Sequence, residues 1–155
     1  MPAFAVDVTK KMNVSARIGV ACSVVTEDIA FDLYDAVVTH KDLDLRSATG
    51  KIKQTCTIGS AGTINIDAGK NDDGGFDKRR MKTDETVSAG QSAFLNYSVH
   101  VLDDIGTAHW PATSGKPYTA TGSQQINSVY AFVPKDQNTA VKGAYTDELL
   151  ITITY

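Results

Sequence analysis

The sequence predicts an all-β protein, an antiparallel β-sandwich, and three observations support this fold class. Apolar residues recur at every second position in many short segments, turn-forming residues separate these segments at intervals of about ten residues, and no segment has the apolar period of a helix. A period of two places successive side chains on opposite faces of a strand, so that one face can be buried. Many short strands of this kind are typical of a sandwich.

Residues 4–20 carry the longest alternating row in the chain. Its apolar members are Phe4, Val6, Val8, Met12, Val14, Ala16, Ile18 and Val20, and only Lys10 interrupts it. At about 3.3 Å per residue, this row is several times longer than an ordinary strand. One domain is therefore not expected to use the row as a single element. Part of it is expected to pair elsewhere, either in the same molecule or in a neighbour.

The first half of the chain continues with short strand candidates at 22–26 and 29–34. Residues 51–58 place Ile52, Cys56 and Ile58 on one face. A turn over 59–62 follows, and we expect residues 63–69, with Ile64 and Ile66 on one face, to form its hairpin partner.

The second half begins with a loop over residues 70–78, which is rich in Asp and Gly. A strand with Leu95, Tyr97, Val99 and Val101 on one face is expected next, followed by a long surface connection over 103–123. Pro134 stops a strand that begins near residue 126. The chain closes with a terminal strand that has Leu149, Ile151, Ile153 and Tyr155 on one face.

Composition excludes several classes of function. The chain has 155 residues, enough for one domain, and a formal net charge of −3 with scattered lysines and arginines. This argues against binding to nucleic acid or to an anionic membrane surface, and the triplet Lys78-Arg79-Arg80 is too short to form a basic patch. No apolar run approaches the roughly 20 residues of a membrane span, so no membrane insertion is expected. The segment Ala3-Phe4-Ala5 resembles the end of a secretory signal, but the charged and apolar regions that precede such an end are absent, so we take the chain as mature or nearly so. An artificial start at Met1 is an equal alternative.

The two cysteines, Cys22 and Cys56, are either free thiols or one bridge. Each lies in a strand-like window without a nearby His or Asp to activate it, which favours the bridge and an oxidising compartment.

No catalytic site, metal site or cofactor is predicted, and the chain is not expected to be an enzyme. The candidates have a structural interpretation: isolated histidines, a solvated Asp-rich turn, adjacent carboxylates in another turn, and a packed tryptophan. They are His40, His100 and His109; Asp72, Asp73 and Asp77; Asp103 and Asp104; and Trp110.

The order of several motifs resembles the spore coat protein U family, the subunits of archaic chaperone–usher pili. They are the VDV of residues 6–8, VACSV and KQTCTIG around the two cysteines, INIDAG, Arg80-Met81, LNYSVHVLDD, His109-Trp110 and the closing GAYTDELLITITY. The resemblance extends over essentially the whole chain and identifies it as similar to the major pilin.

The resemblance implies an incomplete immunoglobulin-like β-sandwich, completed by a donor strand from a neighbouring subunit. Residues 1–15 would be the N-terminal donor-strand extension and residues 16–155 the pilin domain, with residues 16–25 as its first strand. The long apolar row would then be two elements that meet near Ser15. The donor side chains are then Phe4, Val6, Val8, Met12 and Val14, and Leu149, Ile151, Ile153 and Tyr155 line the groove that receives them. In this register Lys10 faces the groove of the neighbour, at its rim or in a bulge.

The partners implied are identical subunits head to tail, with a periplasmic chaperone and an outer-membrane usher during assembly. The subunit would be exported through the periplasm to the cell surface, where the fimbria serves adhesion and biofilm formation. Two alternatives stay open. One is a spore or cell-coat protein of the same fold, and the other is a monomeric secreted sandwich that binds carbohydrate on Trp110 and Tyr118 and folds its own N-terminal strand back.

Overall fold

The computed structural model describes residues 7–46, 49–106, 109–110 and 114–155. Over these residues the chain is all-β, with no helix, which confirms the predicted fold class. The strands are β1 (Cys22–Glu27), β2 (Leu45–Arg46), β3 (Gly50–Cys56), β4 (Ala61–Ile66), β5 (Arg80–Lys82), β6 (Phe94–Asn96), β7 (Ser98–His100), β8 (Lys116–Thr119), β9 (Gln125–Val133) and β10 (Ile151–Thr154). Within the described ranges, no helix is long and apolar enough to cross a membrane.

Every pairing between these strands is antiparallel, and the strands form two principal sheets. In the first sheet β3 lies between β1 and β9, and β9 also pairs with β2 and β7. In the second sheet β4 lies between β10 and β8. The short strands β5 and β6 form a separate pair.

The core lies between the sheets and follows the alternation of the sequence. In β3 the even-numbered residues are buried, while Lys51 and Lys53 are only half-buried. Ile64 and Ile66 of β4, Leu95, Tyr97 and Val99 are also buried, as predicted. The central strand β9 contributes Val129, Ala131 and Val133 and stops at Pro134, which has no N–H with which to extend the ladder.

The predicted hairpin between residues 51–58 and 63–69 is wrong. Strands β3 and β4 belong to different sheets, and the turn over 57–60 carries the chain from one sheet to the other. Ile58 consequently lies outside β3 and is exposed rather than buried with Ile52. Gly62 is required at this point because a Cβ there would lie 1.7 Å from the Thr154 carbonyl oxygen.

Three further predictions are corrected. Residues 29–34 form no strand, although Ile29 and Phe31 pack against the core. The first strand begins at Cys22 rather than at residue 16. The connection over 103–123 is not all surface, because it contains β8 and the completely buried Trp110.

The disulfide between Cys22 and Cys56 is present and confirms the favoured interpretation of the two cysteines. It joins the first residue of β1 to the last residue of β3, which are also register partners in the sheet. The bridge closes a loop with a sequence separation of 34 residues. In the chain-entropy treatment, a loop of this length stabilises the fold by about 4 kcal/mol. It thus ties down a strand that has only one neighbour.

Candidate functional site

Two strands of the sandwich have an unpaired edge on the same side of the molecule. Among the described strands, β1 pairs only with β3, and β10 pairs only with β4. An open strand edge presents backbone N–H and C=O groups to which another strand can add. Because β1 and β10 end the two facing sheets, the gap between them could hold one more strand.

A cavity of about 420 Å³ lies in this gap. The first sheet lines it with Ile52 and Val129, and the second with Ile66 and Ile151. Ile29, Phe31 and Leu149 line it too and are only partly buried, so the apolar core is uncovered here. We call this cavity and the strand edges of β1 and β10 the groove.

The terminal strand borders the groove, and its side chains alternate. Leu149 and Ile151 line the cavity, and Ile153 packs against the core beyond it. Tyr155, the last member of the predicted row, is 61% exposed. That these residues receive a strand stays a prediction.

Those predicted donor residues that the structure describes do not lie in the groove of their own domain. Val8, Met12 and Val14 are 92%, 88% and 91% exposed, and Phe4 and Val6 fall outside the described residues. No strand forms over residues 7–21, and no hydrogen bond or ion pair joins residues 7–18 to the rest of the described chain. The apolar face of this segment is therefore unused within the described monomer.

Asp147 is a polar side chain inside the groove that the sequence did not single out. One of its carboxylate oxygens, Oδ2, accepts a hydrogen bond of 2.7 Å from the Tyr97 hydroxyl. The other, Oδ1, accepts bonds from the backbone N–H of Asn71 at 3.1 Å and from its side-chain amide at 2.9 Å. Burial and the bond to Asp147 raise the pKa of Tyr97, so this hydroxyl remains a donor. Gly69 gives the carboxylate room, because a Cβ at that position would lie 2.2 Å from Oδ2.

Arg79 is completely buried next to the end of β4 and was also missed. Its Nε donates to the Asp67 carbonyl oxygen at 2.9 Å, and Nη1 donates to that of Phe76 at 2.9 Å. Nη2 donates to the carbonyl oxygens of Asp67, at 2.6 Å, and of Ile66, at 3.1 Å. Burial lowers the pKa of the guanidinium. The triplet at 78–80 thus has a structural role, because Arg79 holds backbone carbonyl groups in place beside the groove.

The other candidate residues have structural roles. Trp110 is completely buried, with its indole N–H 3.3 Å from the Ile64 carbonyl oxygen, so the proposed carbohydrate platform of Trp110 and Tyr118 is wrong. Asp103 forms an exposed ion pair with Arg46, and Asp104 accepts a bond from the Gly106 N–H in a turn, as expected.

The Asp-rich loop and the histidines also serve the fold. Asp72 caps a turn by accepting bonds from the N–H groups of Gly74 and Gly75, Asp73 pairs with Arg80, and Asp77 lies 3.9 Å from His109. His40 stacks on Tyr34. The rings of His100 and His109 lie 4.6 Å apart, a proximity that sequence separation hid. Within the described chain, no three potential metal-ligating side chains form a cluster.

Glu27 lies at the mouth of the groove and gives the first testable prediction. Hydrogen bonds from Lys51, at 2.8 Å, and Lys53 lower its pKa from 4.5 to about 2. The pKa of Glu27 is lower in the folded chain than in the unfolded one. Its bonds to the two lysines therefore stabilise the fold above pH 4.5, and this stabilisation is lost as the pH falls towards 2. We expect Glu27→Gln to lower the urea midpoint slightly at pH 7, where solvent screens the exposed pair, and to leave it unchanged near pH 2.

The control for this prediction is Asp28→Asn. Asp28 is the adjacent carboxylate at the cavity and has no lysine or arginine partner within the described ranges. The Asp28→Asn variant should show the same pH dependence of the urea midpoint as the unmodified chain. A Glu27→Gln chain with the same acid dependence as the unmodified chain would contradict the assignment.

These features define a class of protein, a β-sandwich left open between two strand edges. More particularly, the chain belongs to the Spore Coat Protein U domain family, whose family model matches residues 8–152. It is 30% identical to Protein U of Myxococcus xanthus over 165 aligned residues, which cover 99% of this chain and 88% of that protein.

A solved structure shows the same fold. It is the pre-assembly complex of a chaperone and a tip adhesion subunit, CsuC–CsuE, from the archaic chaperone–usher Csu pili of Acinetobacter baumannii. The similarity has a TM-score of 0.57 at 16% sequence identity and covers 88% of this chain. The chain spans 40% of the length of the chain it matches there. This similarity and the two antiparallel sheets together identify the described strands as an immunoglobulin-like β-sandwich.

Proposed function

We propose that this chain is the repeating structural subunit of a surface pilus and polymerises by donor-strand complementation. Residues 1–15 are the donor extension and residues 16–155 the domain that receives a donor. Phe4, Val6, Val8, Met12 and Val14 of one subunit fill the groove of the next. The observation that carries the proposal is the coexistence, in one chain, of an uncovered apolar groove and an exposed apolar row.

The energetics favour a long-lived contact. Four large apolar side chains buried at about 1.5 to 3 kcal/mol each give on the order of 6 to 12 kcal/mol before ordering costs. The added strand also satisfies the open backbone edges of β1 and β10. Because the donor and the groove are different surfaces, the contact is heterologous and propagates into a filament rather than closing a dimer.

Assembly requires the groove to be protected beforehand, since an open apolar edge promotes aggregation. A periplasmic chaperone that lends the missing strand, and an outer-membrane usher that exchanges it for the donor, would meet this need. The Csu complex, which pairs a chaperone with a pilus subunit of the same fold, supports this step. The subunit would then travel through the periplasm to the cell surface and contribute to adhesion and biofilm formation as a fimbria.

The test is deletion of residues 1–14 with co-expression of the cognate chaperone. We expect a stable one-to-one complex that forms no polymer, because the groove is intact and the donor is absent. The full chain, expressed in the same way, should give a ladder of oligomers on denaturing gels without heating. If the truncated chain polymerises as well as the full one, the donor assignment fails.

A second candidate is a coat protein of the same fold that assembles by the same strand exchange into a layer. The family description and the relationship to Protein U favour it. Electron microscopy of native material separates the two, since a pilus gives fibres and a coat gives a continuous layer.

A further inference from the structure

The donor row and the groove row are each interrupted by a single charged residue, and the two charges are opposite. In the N-terminal segment Lys10 lies between Val8 and Met12 on the apolar face. In the terminal segment Asp147 lies between Tyr145 and Leu149, and all three line the cavity. Burial of a charged side chain among apolar ones is costly unless it has a partner of opposite charge, so Lys10 and Asp147 each require such a partner.

Asp147 is held in position but has no cationic partner within the described chain. Its three hydrogen bonds come from the hydroxyl of Tyr97 and from two N–H groups of Asn71, all of them neutral donors. No lysine or arginine of the described ranges lies within 4.0 Å of its carboxylate. The nearby Arg79 acts on it only at longer range, because its own donors are directed to backbone carbonyls. The carboxylate is therefore a fixed negative charge in the groove wall.

Lys10 is equally unengaged. It is exposed, forms no ion pair in the described chain and belongs to a segment without secondary structure. An extended donor that directs Val8 and Met12 into a groove directs Lys10 there too, because alternate side chains share a face. The long aliphatic stem of the lysine can lie along the apolar wall while its ammonium group reaches a carboxylate.

We propose, building on donor-strand assembly, that Lys10 of one subunit forms an ion pair with Asp147 of the next and that this pair fixes the register of the donor. In an antiparallel arrangement beside β10, Val8 then lies opposite Leu149 and Met12 opposite Tyr145. By the sequence period, Val6 and Phe4 follow opposite Ile151 and Ile153. Every large apolar residue from Phe4 to Met12 then has an apolar partner, and Val14 lies opposite Gly143, beyond Tyr145.

The antiparallel direction accounts for more of the chain than the parallel one. With the same ion pair, a parallel donor would bring Ala16 opposite Ile153 and leave Phe4 and Val6 beyond the groove row. All the described strand pairs of this protein are antiparallel as well. The antiparallel register therefore buries the larger side chains.

The ion pair also gives the groove a means of rejecting other strands. A donor shifted by two residues would place Lys10 against Leu149 or Tyr145 and leave Asp147 without its cation. An all-apolar strand from another protein would also leave Asp147 without a cation. Specificity commonly uses such unpaired charges against the wrong partner. The groove thus selects a second copy of this chain in one register.

Charge reversal in the full chain tests the proposal. Lys10→Glu changes a residue that is exposed in the monomer, so folding should be unaffected. We expect oligomers of this variant to dissociate at least about ten times faster than the unmodified ones in a heated denaturing-gel time course, because like charges meet in the groove. Lys11→Glu is the matched control, since Lys11 points to the opposite face, and it should change the rate less than twofold.

A second pair of variants identifies the partner of Lys10. In an Asp147→Asn background, the effect of Lys10→Glu should shrink to threefold or less, whereas Glu148→Gln, which removes the neighbouring carboxylate at the cavity, should leave the effect unchanged. Equal rates for Lys10→Glu and Lys11→Glu in a chain that does polymerise would overturn the ion pair and leave the proposed function standing. Loss of the effect with Glu148→Gln instead would also overturn it. Absence of any ladder from the unmodified chain would overturn both proposals.

Discussion

The double substitution Val8→Asp/Met12→Asp is expected to abolish polymerisation and to leave the folded domain intact. Both side chains are almost completely exposed in the monomer, so their loss removes no intramolecular contact. In the proposed assembly each is buried in the groove, where the change forfeits about 1.5 to 3 kcal/mol of apolar burial and adds the cost of an unpaired carboxylate. Even one such change weakens association on the order of a hundredfold. Oligomer ladders on unheated denaturing gels measure the outcome.

The matched control is Thr9→Asp/Asn13→Asp. It introduces the same two charges into the same segment, but on the opposite face of the strand. A ladder close to that of the unmodified chain is expected, together with an unchanged circular dichroism spectrum for both variants. If the two double variants polymerise equally well, the even-numbered face is not the one that enters the groove.

The strands that could be predicted are those whose faces differ in burial. In β3 the residues that alternate with Lys51 and Lys53 lie on the core and turn residues follow the strand, whereas β9 ends in three consecutive buried residues, 131–133. Residues 29–34 have the same alternation, and Ile29 and Phe31 do face the groove, but no strand forms. A strand is defined by backbone partners, and a period of two reports only where side chains point.

Pairing between strands was harder to predict than the strands themselves. The glycines at 59 and 62 indicate a reversal of the chain, and a hairpin and a crossing between two sheets use the same turn residues. The crossing depends on a distant contact, the close approach of Gly62 to Thr154, which are more than ninety positions apart. A contact between positions so far apart cannot be predicted from the local sequence.

The same reason explains why the charged residues of the groove were missed. Arg79 lies in a basic triplet that indicates a solvated loop, and only the folded chain gathers the carbonyl groups of Ile66, Asp67 and Phe76 around it. Asp147 resembled an ordinary polar residue before a strand, and its role depends on Tyr97 and Asn71 from other parts of the chain. The apolar rows at both termini, by contrast, could be identified because each is a local period.

Replacement of Arg79 by Met is expected to destabilise the domain strongly. The thioether fills part of the volume but donates no hydrogen bond, so the buried carbonyl oxygen of Ile66 and the partly buried ones of Asp67 and Phe76 lose the donors of Arg79. Each buried acceptor left unsatisfied costs about 1 to 3 kcal/mol, so we expect a loss of about 3 kcal/mol or more. Equilibrium urea unfolding of the purified chain measures it.

Two variants isolate the cause. Arg79→Lys keeps a positive charge but cannot reproduce the planar fork of donors, so it should recover only a small part of the loss. Lys78→Met alters the first residue of the same triplet, which is exposed, and should change the free energy of unfolding by no more than about 0.5 kcal/mol. An Arg79→Met chain with the urea midpoint of the unmodified chain would show that the buried guanidinium contributes nothing net.

The effect of this change should reach the groove through Asp67. The backbone carbonyl of Asp67 accepts two bonds from Arg79, its N–H donates to the Leu150 carbonyl at 3.1 Å, and its carboxylate accepts from the Leu150 N–H at 2.9 Å. Leu150 lies between the groove residues Leu149 and Ile151. Loss of Arg79 should therefore loosen the terminal segment first, and amide hydrogen exchange at residues 149–151 should accelerate more than in β9.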